Sequence, residues 1–186
     1  MKRILSLAVV GGVFTVAAAA AALRAADAKP ATPAPAAKPA ADGNVAKPTA
    51  DVKSWRLEQH EEAKATIAVD AGAVVFDVTK DDGTDWHAQA FQTPVELKDG
   101  QEYAVTFSAK ASDERAVKVQ AAIDEEDWHP VGLDEEVALG KEWKAYDYKF
   151  TAADVRANKN RVGFVFGQAK GKVWVKDLVV KPVAKK

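Results

Sequence analysis

At 186 residues, with 48% apolar and 28% charged side chains, the chain has the composition of a soluble globular protein able to bury one core of ordinary size. Seven of its 26 Lys and Arg and three of its 27 acids lie at or before Lys53, so the remainder is mildly acidic, and the absence of a basic stripe excludes a phosphate backbone as partner. There is no cysteine, which excludes disulfides, thiolate nucleophiles and Cys-based zinc sites together.

The first element in chain order is an address. Met1-Lys2-Arg3 is a positive n-region, residues 4–23 carry no charge, and Ala26-Asp27-Ala28 offers a small-x-small cleavage site, so 1–28 reads as an export signal. The apolar run reaches the ~20 residues that span a bilayer, which makes an uncleaved anchor the competing reading. Its Ala-rich second half gives little insertion energy per residue and favours cleavage. Either way the domain is expected outside the cytoplasm: secreted, periplasmic or bound to the cell envelope. Residues 29–53 repeat Ala, Pro and Lys, with Pro30, Pro33, Pro35, Pro39 and Pro48, and read as a disordered spacer that cannot bury enough surface to offset its ordering entropy.

From 54 to 183 the apolar period is two. Val75, Phe76 and Val78 surround Asp77; Tyr103, Val105 and Phe107 share one side; Val117, Val119 and Ala121 alternate with Lys118, Gln120 and Ala122. Val162, Phe164 and Phe166 repeat the pattern, as do Val173 and Val175 before Leu178. Turn signals separate these runs, among them Asp70-Ala71-Gly72, Asp81-Asp82-Gly83, Lys98-Asp99-Gly100 and Lys170-Gly171-Lys172. Many short half-buried strands predict an all-β domain, an antiparallel β-sandwich or jelly roll. A basic tail, 184–186, closes the chain.

The order of these phrases resembles the CenC-like carbohydrate-binding modules. The resemblance rests on Trp55-Arg56-Leu57-Glu58, on Asp85-Trp86-His87-Ala88-Gln89-Ala90-Phe91-Gln92, and on the run from Leu97-Lys98-Asp99-Gly100 to Lys110-Ala111. It continues with Trp143-Lys144-Ala145-Tyr146, Phe164-Val165-Phe166-Gly167 and Val173-Trp174-Val175-Lys176-Asp177-Leu178, and so covers nearly the whole domain. It implies a galactose-binding-domain-like jelly roll that binds cellulose-, xylan- or β-glucan-type polysaccharide on a concave sheet face without cutting it, as a monomer. In such modules aromatic rings stack on the C–H faces of sugars, while amides and guanidinium groups take the hydroxyls.

Carried over residue by residue, Trp86 and Trp128 match the stacking aromatics, and Gln92, Gln120 and Arg161 match polar contacts; Val165 departs from the polar residue seen in several members. Strand parity leaves two registers open. In one, Trp86 shares the ligand face with Ala88, Ala90 and Gln92, which sends His87, Gln89 and Phe91 inward unless a β-bulge intervenes. In the other, Trp86 is a core residue and His87 with Gln89 form the accessible polar row, which adds Gln89 to the candidates. Trp128, between Asp124-Glu125-Glu126-Asp127 and His129-Pro130, is expected in an exposed turn, whereas Trp55, Trp143 and Trp174 read as core or core rim.

The family resemblance also implies a structural calcium on the convex side, for which Asp177 matches the carboxylate; the opening Gly-x-Phe-Glu phrase that would complete the site is replaced here by residues 45–53. His60, His87 and His129 match no zinc spacing. Acids at Glu61-Glu62, Asp81-Asp82, 124–127 and 134–136 cluster in turns, where solvated charge is their ordinary role, and no nucleophile, phosphate-loop or dinucleotide motif is present. The alternatives to a glycan-binding module are an envelope adhesion or scaffold protein that uses the same face for protein contacts, and a small hydrolase with two opposed carboxylates.

Overall fold

Ten strands follow one another without an intervening α-helix in the computed structural model, which describes residues 43–184. They are β1 (Arg56–Gln59), β2 (Lys64–Asp70), β3 (Ala73–Lys80), β4 (Ala88–Gln92), β5 (Glu102–Ala111), β6 (Arg115–Ile123), β7 (Pro130–Leu139), β8 (Lys144–Thr151), β9 (Asn160–Val165) and β10 (Gly171–Pro182). The strand pairs are antiparallel and make two five-stranded sheets, the first in the order β1-β4-β9-β6-β7 and the second in the order β2-β3-β10-β5-β8. This is the expected all-β jelly-roll sandwich.

Alternation builds it. On β5, Tyr103, Val105, Phe107, Ala109 and Ala111 are buried while the residues between them are partly exposed. On β6, Val117, Val119 and Ala121 turn inward and leave Lys118 and Gln120 on the outer side. The two inner faces meet in one aromatic cluster, where Phe76 stacks on Phe166 at 4.8 Å and Trp55 meets Phe76 edge-on at 5.3 Å. Burying each such side chain contributes about 1.5–3 kcal/mol, so this cluster holds the sheets together. The β2–β3 turn puts both Ala71 and Gly72 at positive φ, as a tight hairpin requires.

Two readings of the sequence change here. Within the segment read as spacer, residues 44–49 pack on the sandwich. Val45 N–H donates to Val180 O at 2.9 Å, Asn44 Oδ1 accepts from Val180 N–H at 2.8 Å, and Thr49 Oγ1 accepts from Leu178 N–H at 2.9 Å. Thr49 O in turn takes the indole N–H of Trp55 at 2.9 Å. Side-chain oxygens, which hydropathy does not register, attach this stretch to β10. Trp143, read as core or rim, is 38% exposed; Trp55 is in the core and Trp174 is half-buried.

The export signal and most of the spacer, 1–42, fall outside the described residues, as does the end of the basic tail. Among the described residues no helix is long and apolar enough to cross a membrane.

Candidate functional site

The outer face of the first sheet is assembled by register. One row across it runs Glu58, Gln89, Val165, Lys118, and the next runs Arg56, Phe91, Gly163, Gln120, Asp134. Gly163 is a packing requirement, because a Cβ there would collide with Ala90 O and lie 2.7 Å from Phe91 Cα. On this face lies a groove of about 650 Å³, lined by Glu58, Gln89, Gln120, Arg161 and Val165 among others. Trp86 and Trp128 both line this groove and both are 50% exposed.

Trp86 belongs to a 3-10 turn, Asp85–His87, that leads into β4. The turn breaks strand alternation, so Trp86 and Gln89, three residues apart, line the same groove, which neither simple register allowed. Gly167 permits the close approach of this turn: its N–H donates to Asp85 O at 2.7 Å, and a Cβ would come within 2.6 Å of the same oxygen. The Trp86 ring rests edge-on against His87 at 4.1 Å and beside His60 at 5.3 Å. His87 itself is buried, with Nδ1 2.6 Å from Asp82. At the other side of the groove the loop after β6 places Asp127 at φ 87° and Trp128 at φ 50°, with Trp128 N–H donating to Glu125 O at 3.0 Å.

The six candidates divide as follows. Trp86, Gln89, Gln120, Trp128 and Arg161 come together around the groove. Gln92 does not. It is fully buried and points to the opposite side of β4, where its Oε1 accepts from Lys47 N–H at 2.7 Å and its Nε2 donates to Lys47 O at 3.1 Å. Gln92 therefore acts as a strand mimic that secures the residue 44–49 segment. Arg161 is only 3% exposed; its guanidinium lies 4.0 Å from the Phe91 ring centroid and 5.0 Å from that of Trp128. Such a group orients the Trp128 indole from beneath it.

Charges in the groove are paired. Arg56 engages both Asp124 and Glu58. Glu58 also accepts from Arg161 Nη1 at 3.2 Å and from Gln89 Nε2 at 2.9 Å, while Thr93 Oγ1 donates to Asp124 at 2.8 Å. The hydrogen bond from Arg56 holds the Asp124 carboxyl below the usual aspartate range, and the same contact raises the Arg56 guanidinium. Burial pushes the Arg161 guanidinium down, opposed by Glu58 and Asp124. Across the groove Lys118 pairs with Asp85 at 2.9 Å, which raises the ammonium group. For Asp85, burial acts upward, but the hydrogen bond from Lys118 and those from backbone N–H groups outweigh it and leave the carboxyl low.

Arg56, Glu58, His60, Asp85, Lys118 and Asp124 line the groove without having been singled out as contacts in the sequence. The i, i+2 spacing of Arg56 and Glu58, and of Lys118 and Gln120, was the available signal for the strand residues. Asp124 was indistinguishable from its acidic neighbours in sequence. Asp177, the calcium candidate, is exposed at φ 56° within the β10 bulge. Among the described residues no three His, Cys, Asp or Glu side chains gather to hold a metal, and the nearby oxygens Asn44 Oδ1 and Thr49 Oγ1 already accept from backbone N–H groups.

A jelly roll with an open groove carrying two indoles and two amides, Gln89 and Gln120, on one sheet is the arrangement of a glycan-binding module. Residues 48–170 match the model of the CBM_4_9 family, a carbohydrate binding domain, and the chain belongs to that family. Modules of this kind bind polysaccharide and are typically non-catalytic. No curated protein sequence matches the chain. Among solved structures, a CBM4 structure is 21% identical, with 77% of this chain and 99% of that one covered and a TM-score of 0.63. The N-terminal cellulose-binding domain of Cellulomonas fimi β-1,4-glucanase C is 17% identical over 74% of this chain and 94% of its own, with a TM-score of 0.57. The CBM22-1 and GH10 modules of Clostridium thermocellum xylanase 10B, in complex with xylohexaose, are 14% identical, with 78% of this chain and 30% of that one covered and a TM-score of 0.53. These likenesses establish the fold.

Proposed function

We propose that the groove binds a β-glucan- or xylan-type chain, with Trp86 and Trp128 stacking on sugar faces and Gln89 and Gln120 hydrogen-bonding hydroxyls. The observation that carries this reading is that two half-exposed indoles from separate elements line one groove together with the amides Gln89 and Gln120. Such rings present broad apolar faces at little entropic cost, and the amides supply both donors and acceptors. Solved relatives of the same fold include a cellulose-binding domain and a xylohexaose complex, which favours the same ligand class.

Arg161 supports the site from below rather than touching sugar, because its guanidinium is enclosed by Phe91, Trp128 and Glu58. A depth of this kind favours a glycan over a protein partner, for which a flat or filled face would serve. The carboxylates support a binding role as well. Asp85 and Asp124 are held ionised by cations, whereas a glycosidase acid needs a raised pKa. The module is read as working outside the cytoplasm, in keeping with the charge-free run after Met1-Lys2-Arg3 and the small-x-small motif at 26–28. Titration of the full chain with cello- and xylo-oligosaccharides, followed by intrinsic tryptophan fluorescence, tests the proposal: a saturable change is expected, and a flat titration with every neutral oligosaccharide would remove the ligand assignment.

A further inference from the structure

The outer face of the second sheet carries another aromatic cluster, which the groove does not use. Register places it: Trp174 on β10 pairs with Val75 on β3 and with Lys110 on β5, and Trp143 precedes the point where Lys144 of β8 pairs with Ala109. Lys176, two residues beyond Trp174, lies on the same face of the strand. Its Nζ is 4.4 Å from the Trp143 ring centroid, and Lys110 Nζ is 5.3 Å from that centroid and 5.0 Å from that of Trp174. Two ammonium groups thus converge on one indole.

Among the described residues neither has an ion-pair partner. Among the described residues the lysines in ion pairs are Lys80, Lys118, Lys141, Lys159 and Lys172. Of the acids on or beside this face, Asp77 is engaged by Lys172 at 3.8 Å, while Glu142, Asp147 and Asp177 form no ion pair with Lys110 or Lys176. Attraction to the ring is weak at an exposed site and two like charges brought together repel, so an anion placed between them is favoured.

We infer that this face is a second binding site, for a polysaccharide that carries carboxylates: the carboxylate of a uronate residue is held by the ammonium groups of Lys110 and Lys176 beside Trp143. Hydroxyl-bearing neighbours suit such a chain. Ser108 sits opposite Lys176 in the ladder and Thr106 follows on the same face, groups that a glycan can hydrogen-bond and that a lipid acyl layer would have to desolvate.

The test is isothermal titration of the full chain with polygalacturonate, with its fully methyl-esterified form, and with mixed phosphatidylserine and phosphatidylcholine vesicles. The variants are the K110Q/K176Q pair and the K110R/K176R pair, each verified as folded by its thermal melt. Polygalacturonate is expected to bind, to weaken as salt is raised, to lose about tenfold or more in affinity in the glutamine pair, and to be retained in the arginine pair. Cello-oligosaccharide binding in the groove is expected to stay unchanged in both pairs. No binding of polygalacturonate, equal binding by the glutamine pair, or equal binding of the uncharged ester would overturn the inference; binding of the vesicles but not the polymer would overturn it in favour of a membrane-facing surface.

Discussion

On the first sheet every cation of the groove meets a carboxylate: Arg56 with Asp124 and Glu58, Arg161 with Glu58, Lys118 with Asp85. On the second sheet Lys110 and Lys176 lie over indole rings and, among the described residues, form no ion pair. The two faces hold comparable residue types, Trp with Lys or Arg, and differ in where the counter-charges are. In the groove, pairing fixes the side chains and leaves no net field, so recognition falls to ring faces and amides. On the opposite face the charge is unspent and available to a ligand. The difference shows that an aromatic beside a cation has no single meaning, and that the carboxylates around it decide whether it forms a rigid wall or an anion site.

The largest expected effect comes from breaking the pairing itself. In Glu58→Ala the buried Arg161 loses its nearest carboxylate and Gln89 its acceptor, which should cost about 3 kcal/mol of stability, seen as a lowered urea midpoint with an unchanged slope. Next, Trp128→Ala should weaken neutral-glycan binding by about 2 kcal/mol, roughly thirtyfold in Kd, with the melting temperature little changed, as calorimetry would report. Gln92→Ala removes both bonds to Lys47 and should destabilise the fold by about 2 kcal/mol while the Kd of the folded protein is preserved, which separates it from the groove residues.

A smaller effect follows from pH. The Asp124 carboxyl lies below its ordinary value in the folded state, so its stabilisation is complete above about pH 4 and is lost as pH falls through the folded pKa. Thermal melts taken downward from about pH 5 should therefore decline more steeply for the parent than for Asp124→Asn. The smallest is salt. Glycan affinity in the groove should change by less than about twofold between low and high ionic strength, because its charges are already matched.

Much of this was legible in the sequence for physical reasons. Period-two burial exposes strands directly, and the acidic, turn-rich setting of Trp128 correctly marked an indole in the open. What stayed hidden depended on contacts that alternation does not encode. Trp86 and Gln89 share a groove because a 3-10 turn, admitted by Gly167, shifts the phase ahead of β4. Gln92 is occupied by Lys47, 45 residues away, and the segment around Lys47 looked like spacer because only Val45 and Ala46 of it pack on the core, the rest of its attachment being hydrogen bonds of Asn44 and Thr49. The exposure of Trp143 had a sign in its charged neighbours Lys141, Glu142 and Lys144, which the Ala145-Tyr146 phrase after them masked.

The most direct measurement is calorimetric titration of the full chain with cello- and xylo-oligosaccharides, alongside Trp86→Ala, Trp128→Ala and Trp143→Ala, all verified as folded. Binding should weaken sharply in the first two and persist in the third. Undiminished binding in both groove variants, or its loss in Trp143→Ala alone, would contradict the assignment of the glycan site to the first sheet.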